Sequence, residues 1–269
     1  MNPKDKIMRN LSQYQYIKKL LGKIVKERLD IKGYTLGMLT ADLLADNRID
    51  LERLNNALQI GENNCIDFKR IFQIGTLSPK TADSRITDML AEIKAFEFLY
   101  NHCFQDITYL RQKTSTKTVD YTSRRNEDYY AVEVTRLGLP LAEKKKPTYS
   151  QEGNLFNKGI QWFTLDGNNN IPKWEETIYS AIKNEYPQVS EFCKIKVNNW
   201  KGIVVISVGR DYFISKYARR DMFLPKTLSN VIQTVFNNLK QTGNYKYLQH
   251  LILVIGKYPN QIFTYPTFN

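Results

Sequence analysis

The sequence predicts an α/β protein in which helices cover a mixed β-sheet. After residue 80, segments with the apolar spacing of helices alternate with short apolar or alternating segments typical of strands. Two segments, 203–208 and 251–255, are continuous apolar runs, which indicates central strands buried on both faces. Before residue 78 only helical spacing occurs. We therefore expect an N-terminal helical region (1–78) followed by one α/β domain (79–269).

The N-terminal region is expected to contain several helices. Apolar residues recur at three- and four-residue spacing from Ile7 to Leu29, which predicts a helix ending near Gly33. Two shorter helices are expected at 35–44 and 50–58, the second with Asp50 at its N-cap.

The α/β domain begins after a boundary expected at 75–80, where Gly, Ser and Pro cluster. Its first helix is predicted to be capped by Asp83 and Ser84, and the segment 137–170, rich in Lys, Gly and Asn, is interpreted as a long loop. The other expected elements are a strand at 107–110, a hairpin within 117–136, a helix from 174 to Pro187, a strand at 203–208, a helix at 228–239 ending at Gly243, and strands at 251–255 and 261–265.

The hairpin has a register that can be worked out from the sequence. If Asn126 and Glu127 form a two-residue connection, Asp120 lies opposite Glu133. Strand alternation then predicts two faces. The polar face would carry Thr118, Asp120, Glu133 and Thr135, and the apolar face would carry Val119, Tyr121, Val132 and Val134.

Two facing carboxylates repel each other unless a positive charge lies between them. Mg²⁺ prefers oxygen ligands and is commonly held by one or two carboxylates together with water and phosphate. The pair formed by Asp120 and Glu133 therefore predicts a divalent metal site.

The chain resembles the PD-(D/E)xK superfamily, the restriction-endonuclease-like nucleases. Val119-Asp120 matches the first part of the motif, and Glu133-Val134-Thr135 matches the second part with Thr135 in place of the motif lysine. Glu92 matches an acidic residue that many such families place on the first core helix. The resemblance covers roughly residues 83–210 and implies a restriction-endonuclease-like core of helix, three strands, helix and strand.

The resemblance also implies an activity, which is metal-dependent hydrolysis of DNA by an endonuclease of restriction or defence type. Asp120, Glu133, Thr135 and Glu92 would be the catalytic residues, and Asp120, Glu133 and the Val134 carbonyl would bind Mg²⁺ or Mn²⁺. Lys117, Arg136 or Lys183 could replace the missing lysine. Double-strand cleavage would suggest a homodimer.

The charge of the chain agrees with a polyanionic partner. The net charge is +12 over 269 residues, which favours nucleic acid first and an anionic membrane second, although a lysine-rich surface is the alternative interpretation. Candidate phosphate contacts are Lys117, Arg124, Arg125, Arg136, Lys144, Lys145, Lys146, Lys183, Arg219 and Arg220. Two other functions remain open: a DNA-binding module that has lost cleavage, motivated by Thr135, and a protein-interaction domain with a surface rich in Tyr and Phe.

Cysteine and histidine give no further site. The three cysteines are widely separated and form no zinc motif, and neither His102 nor His250 is expected to be a ligand. The longest apolar run is too short to span a bilayer, and the N-terminus has no apolar core of a signal peptide. We therefore expect a cytoplasmic protein without a membrane partner.

Overall fold

The structure of the 269-residue chain is a computed structural model. The structure describes residues 3–28, 48–68, 79–110, 118–137, 174–196, 199–208, 225–255 and 261–268. None of the described helices combines the length and the apolar composition needed to cross a bilayer.

Three helices form the described N-terminal region: α1 (Pro3–Gln13), α2 (Gln15–Arg28) and α3 (Arg48–Asn63). The prediction of one helix from Ile7 to Leu29 is wrong, because the helix is interrupted at Tyr14. Asn55 of α3 explains the break. Its Oδ1 accepts hydrogen bonds from the backbone N–H groups of Tyr16 (3.0 Å) and Ile17 (3.4 Å), which lack partners within the first turn of α2.

Both predicted N-caps prove to lie inside helices. Helix α3 begins at Arg48, two residues before Asp50, and helix α4 (Pro79–Asn101) begins four residues before Asp83. Proline at the first position of α4 is favourable, since that position needs no N–H partner. The helix expected at 35–44 and residues 69–78, which contain most of the expected boundary, lie outside the described residues, so the division into two regions stays a prediction.

The sheet has six strands in sequential order. They are β1 (Gln105–Tyr109), β2 (Tyr121–Arg125), β3 (Asp128–Leu137), β4 (Trp200–Val208), β5 (Leu248–Ile255) and β6 (Gln261–Tyr265). Strands β3, β4 and β5 are parallel to each other, whereas β1, β2 and β6 run antiparallel to their neighbours. The predicted mixed sheet flanked by helices is therefore confirmed.

Two further helices pack on the sheet, α5 (Trp174–Ile195) and α6 (Pro225–Gln241). The predicted end of α5 at Pro187 is wrong, because the helix continues for two more turns. Pro187 is exposed, and the continuation buries Val189 and Cys193, which offsets the backbone hydrogen bond that a proline removes. The predicted end of α6 is confirmed by Gly243, whose φ of 71° is left-handed and suits glycine.

Helices cover both faces of the sheet. Helices α1 to α4 pack in one apolar cluster with side chains such as Val132, Ile203 and Ile252. Helices α5 and α6 pack in a second cluster with Ala131, Val204 and Leu251 on the other face. Successive residues of β3, β4 and β5 therefore point alternately into two apolar layers, which explains the continuous apolar runs in the sequence.

Candidate metal centre at the open end of the hairpin

The register of the β2–β3 hairpin is the predicted one. Arg125 pairs with Asp128 and Tyr121 with Val132, so Asn126 and Glu127 form a two-residue connection. Asn126 has a φ of 57°, a conformation that asparagine tolerates well in tight turns. We call the end with this connection the turn end and the end near Asp120 and Glu133 the open end.

Asp120 is fixed by two neighbouring strands. It directly precedes β2, where its backbone carbonyl accepts a hydrogen bond from Leu110 N at 2.8 Å. Its carboxylate Oδ2 accepts another from Val134 N, also at 2.8 Å. The side chain is buried, so the carboxylate is held at one position beside β3.

The predicted placement of Val119 is wrong. Strand alternation would put Val119 on the face of Tyr121, but Val119 packs with Ala131 in the cluster beneath α5 and α6. The regular strand begins only at Tyr121, and alternation does not extend into the irregular backbone before it.

Glu133 lies in the apolar layer beneath α5. It neighbours Ala131 and Val204 on this face of the sheet, and its side chain is only 3% exposed. Its Oε1 accepts a hydrogen bond from Gln188 Nε2 at 3.1 Å. Its Oε2 is buried and has no hydrogen-bond partner among the described residues. An ionised carboxylate in such surroundings is unfavourable without a further partner.

Glu92 approaches the open end from the other face of the sheet. The Tyr121 hydroxyl donates to the Glu92 backbone carbonyl at 3.2 Å, which positions this turn of α4 beside the hairpin. The Glu92 carboxylate oxygen Oε2 is buried and, within the described part of the chain, accepts no hydrogen bond. Glu92 therefore joins Asp120 at the open end.

Two side chains of the open end were not predicted from the sequence, Glu185 and Gln188 of α5. Thr135 Oγ1 donates to Glu185 Oε1 at 3.3 Å, and Gln188 Nε2 donates to Glu185 Oε2 at 3.0 Å. Gln188 thus links Glu185 to Glu133. In the sequence these residues look like ordinary polar positions of an amphipathic helix, and only the packing of α5 on β3 and β4 brings them to the hairpin.

The carboxylates raise one another's pKa values. Burial first, and then the charges of Asp120, Glu185 and Glu92, raise the pKa of Glu133. Burial and then the charge of Asp120 raise the pKa of Glu92. Burial also raises the pKa of Asp120 to about 7, although the hydrogen bond from Val134 opposes the shift. The open end is therefore a region of strong negative potential.

The pKa values of Tyr109 and Tyr121, next to Asp120 and Glu92, are raised by burial and by the same negative potential. Burial, and after it the charges of Glu92 and Asp120, raise the pKa of Tyr109 and of Tyr121. Tyr109 at the end of β1 pairs with Tyr121 at the start of β2, and their rings pack edge-to-face with centroids 5.3 Å apart. The negative potential therefore extends along the edge of the sheet.

The predicted cations fall in three places. Arg136 lies beside the open end, but its Nε is 3.0 Å from Asp88 Oδ1 on α4. Lys183 is exposed on α5. Arg124 and Arg125 belong to the turn end, and Arg125 is five residues from Asp120, about 17 Å along an extended strand. The remaining predicted cations lie outside the described residues: Lys117, Lys144, Lys145, Lys146, Arg219 and Arg220.

The donors at the open end suit a divalent ion that keeps part of its water shell. Carboxylate oxygens are the ligands that Mg²⁺ and Mn²⁺ prefer, and the buried oxygens Glu92 Oε2 and Glu133 Oε2 accept no hydrogen bond from described residues. In the described part of the chain, no three acidic, His or Cys side chains form a ready-made metal cage. Mg²⁺ commonly binds one or two carboxylates with water and phosphate, and the donor set fits that mode.

Comparison of the chain with protein-family models, with curated proteins and with solved structures found no match.

Proposed function

We propose that the chain is a metal-dependent endonuclease that hydrolyses phosphodiester bonds in DNA. The observation that carries the proposal is the meeting of Glu92, Asp120 and Glu133 at the open end. These largely buried carboxylates come from α4, from β3 and from the residue before β2, and no lysine or arginine of the described residues forms an ion pair with them. Such repulsion is costly to maintain, and a divalent cation would relieve it.

The order of the elements supports the proposal. Helix α4, the antiparallel strands β1 to β3, helix α5 and strand β4 follow one another as in a restriction-endonuclease-like core. The open end lies toward the carboxyl ends of the parallel strands β3 and β4. Ligands of open α/β sheets commonly bind outside this edge.

Each residue of the open end has a role in the proposed reaction. Asp120 and Glu133 would hold the ion, the Val134 carbonyl would be a further oxygen donor, and Glu92 would bind a water molecule beside it. When bound, Mg²⁺ or Mn²⁺ lowers the pKa of an attacking water and neutralises charge on the phosphate. Thr135 carries no charge, and its hydroxyl orients water rather than acting as a base.

DNA is the proposed substrate because of the charge of the chain. A net charge of +12 favours association with a polyanion, and most of the sequence-independent affinity for DNA comes from phosphate contacts. Lys183 lies exposed on α5, the helix that also carries Glu185. A homodimer would place two such sites on the two strands of a duplex.

The proposal is tested by incubating supercoiled plasmid with the protein and Mg²⁺, Mn²⁺ or EDTA. We expect nicking or linearisation that requires the ion. Asp120→Asn should lower the rate by about 100-fold or more, because the amide keeps the bond to Val134 but loses the charge. Asp106→Asn is the matched control, since Asp106 is exposed and lies on β1. Equal rates for the two variants would refute the assignment of the site.

A second candidate is a DNA-binding module without cleavage, which the absence of the motif lysine at Thr135 favours. In the plasmid experiment this candidate predicts no cleavage with either ion. It also predicts tight binding that weakens steeply as the salt concentration rises. The absence of cleavage separates it from the nuclease, and fluorescence anisotropy at several salt concentrations verifies that the uncleaved DNA is bound.

A further inference from the structure

Glu185 is a fourth carboxylate at the open end, and it contacts Thr135, which stands where the motif lysine was expected. Thr135 is two residues after Glu133 and points to the same face of β3. Its hydroxyl contacts Glu185 Oε1. At the position where the motif lysine would add a positive charge, the chain therefore presents a hydroxyl that is bonded to a carboxylate from α5.

One amide group joins Glu185 to Glu133. Gln188 Nε2 lies 3.1 Å from Glu133 Oε1 and 3.0 Å from Glu185 Oε2, so both carboxylates are held against the same donor. Glu185 and Gln188 are one helical turn apart on α5, and both are partly buried. Packing alone does not require two acidic groups here, because apolar side chains would fill the same space without repulsion.

An independent observation points to a ligand in this space. Glu133 is 97% removed from solvent, and its second oxygen has no hydrogen-bond partner among the described residues. Buried polar atoms are nearly always paired, so such an atom in a cluster of like charges is a favourable place for a cation to bind. Gln188 occupies only the first oxygen of Glu133, which leaves the second one free to bind an ion.

We propose that Glu185 is a further ligand of the divalent cation held by Asp120 and Glu133. The inference rests on the proposed function, because it adds a ligand to the same metal site. It assigns α5 a direct part in binding the ion. It also explains how a site without the motif lysine is built, since another carboxylate stands next to the position of that lysine.

The contacts show how Glu185 would reach the ion. The bond from Thr135 to Glu185 is 3.3 Å long, whereas hydroxyl–oxygen bonds usually measure about 2.7–2.8 Å, so it is weak and easily exchanged. A bond from Glu185 Oε1 to the ion would replace this weak contact. The Thr135 hydroxyl would then be free to contact water.

The inference is tested by measuring Mn²⁺ affinity in the full-length chain by titration calorimetry and electron paramagnetic resonance. Glu185→Gln should bind Mn²⁺ about 10-fold or more weakly, because it loses a ligand charge but keeps the side-chain volume. Glu191→Gln is the matched control, since Glu191 is exposed on the same helix and should bind as the wild type does. Circular dichroism verifies that both variants are folded.

The outcomes separate this inference from the proposed function. Wild-type affinity for Mn²⁺ in Glu185→Gln, alongside a loss of affinity in Asp120→Asn, would overturn the role of Glu185 alone. An absence of Mn²⁺ binding by the wild-type chain would reject the metal site altogether. Weaker binding in Glu185→Gln together with unchanged binding in Glu191→Gln would support the inference.

Discussion

The two ends of the β2–β3 hairpin treat charge in opposite ways. At the turn end, Lys201 Nζ lies 2.6 Å from Asp128 Oδ2 and Arg124 Nε lies 3.1 Å from Asp106 Oδ2. Arg125 stacks over the ring of Phe268, 5.3 Å from its centroid. Each of these charges has an opposite charge or an aromatic ring beside it.

At the open end of the same hairpin, like charges meet instead. Burial first, and then the charge of Asp120, raises the pKa of Glu133, and burial and the charge of Glu185 raise the pKa of Asp120. Hydrogen bonds fix this arrangement, since Val134 holds Asp120 and Gln188 holds Glu133. The turn end therefore contributes to stability, whereas the open end keeps a repulsion that the proposed cation would relieve.

The largest effect on stability is expected at the turn end. Phe104 is buried there and packs edge-to-face on Tyr130 and Phe268. Phe104→Ala should lower the free energy of unfolding by about 3–5 kcal/mol without changing Mn²⁺ affinity. Urea denaturation measures the loss. Tyr100→Ala is the control, since Tyr100 is 44% exposed, and an equal loss in both variants would contradict the role of this cluster.

The next effect has the opposite sign and belongs to the open end. Asp120→Asn should raise the free energy of unfolding in EDTA by up to about 4 kcal/mol at pH 7.5, because it removes a buried like charge whose pKa is raised by about three units. The folded pKa of Asp120, about 7, exceeds the ordinary value of 3.8 for an aspartate. Between these pH values the folded chain binds more protons than the unfolded chain, so wild-type stability falls as pH rises.

This pH dependence supplies the control for Asp120→Asn. The variant cannot titrate at residue 120, so its stability advantage should vanish near pH 4 and grow toward pH 7. Urea denaturation of both proteins across this range measures the difference. A constant advantage at all pH values would show that the substitution acts through packing rather than through charge.

A smaller loss of stability is expected from a substitution that displaces α5 from the sheet. A Cβ at Gly202 would meet the Val189 side chain and lie 3.0 Å from the Tyr247 carbonyl oxygen, so Gly202→Ala must displace α5. We expect a loss of about 1–2 kcal/mol and weaker Mn²⁺ binding, because Val189 follows Gln188. Gly22→Ala in α2 is the control and should not destabilise the chain. Unchanged Mn²⁺ affinity in Gly202→Ala would show that the position of α5 does not affect metal binding.

The smallest effect is expected for the ion pair between Lys201 and Asp128. Both side chains are about one-third exposed, and such pairs contribute about 0.2–1 kcal/mol. Lys201→Met should therefore lower the free energy of unfolding by less than about 1 kcal/mol, and added salt should reduce the difference. A loss as large as that of Phe104→Ala would show that charge pairing dominates the turn end.

The sequence was sufficient to predict what depends on local periodicity. The register of the hairpin follows from the two-residue connection and from alternation, and Tyr121 indeed pairs with Val132. Alternation predicted the wrong face for Val119 because this residue precedes the regular strand. The α/β class was predictable because buried parallel strands leave continuous apolar runs.

The remaining features depend on contacts between distant segments. Glu185 lies 52 residues after Glu133, and only the packing of α5 on β3 and β4 brings the two together. The break between α1 and α2 likewise depends on Asn55, about 40 residues away. The continuation of α5 beyond Pro187 depends on the apolar surface that Val189 and Cys193 meet. No local pattern predicts any of these contacts.

The most direct test of the contrast between the two ends is a comparison of wild type and Glu133→Gln at pH 7.5. The free energy of unfolding is measured for both in EDTA and in excess Mn²⁺. We predict that the variant is the more stable protein in EDTA and that Mn²⁺ reverses the order by stabilising only the wild type. Equal stabilisation of both proteins by Mn²⁺, or a less stable variant in EDTA, would contradict a metal site at the open end.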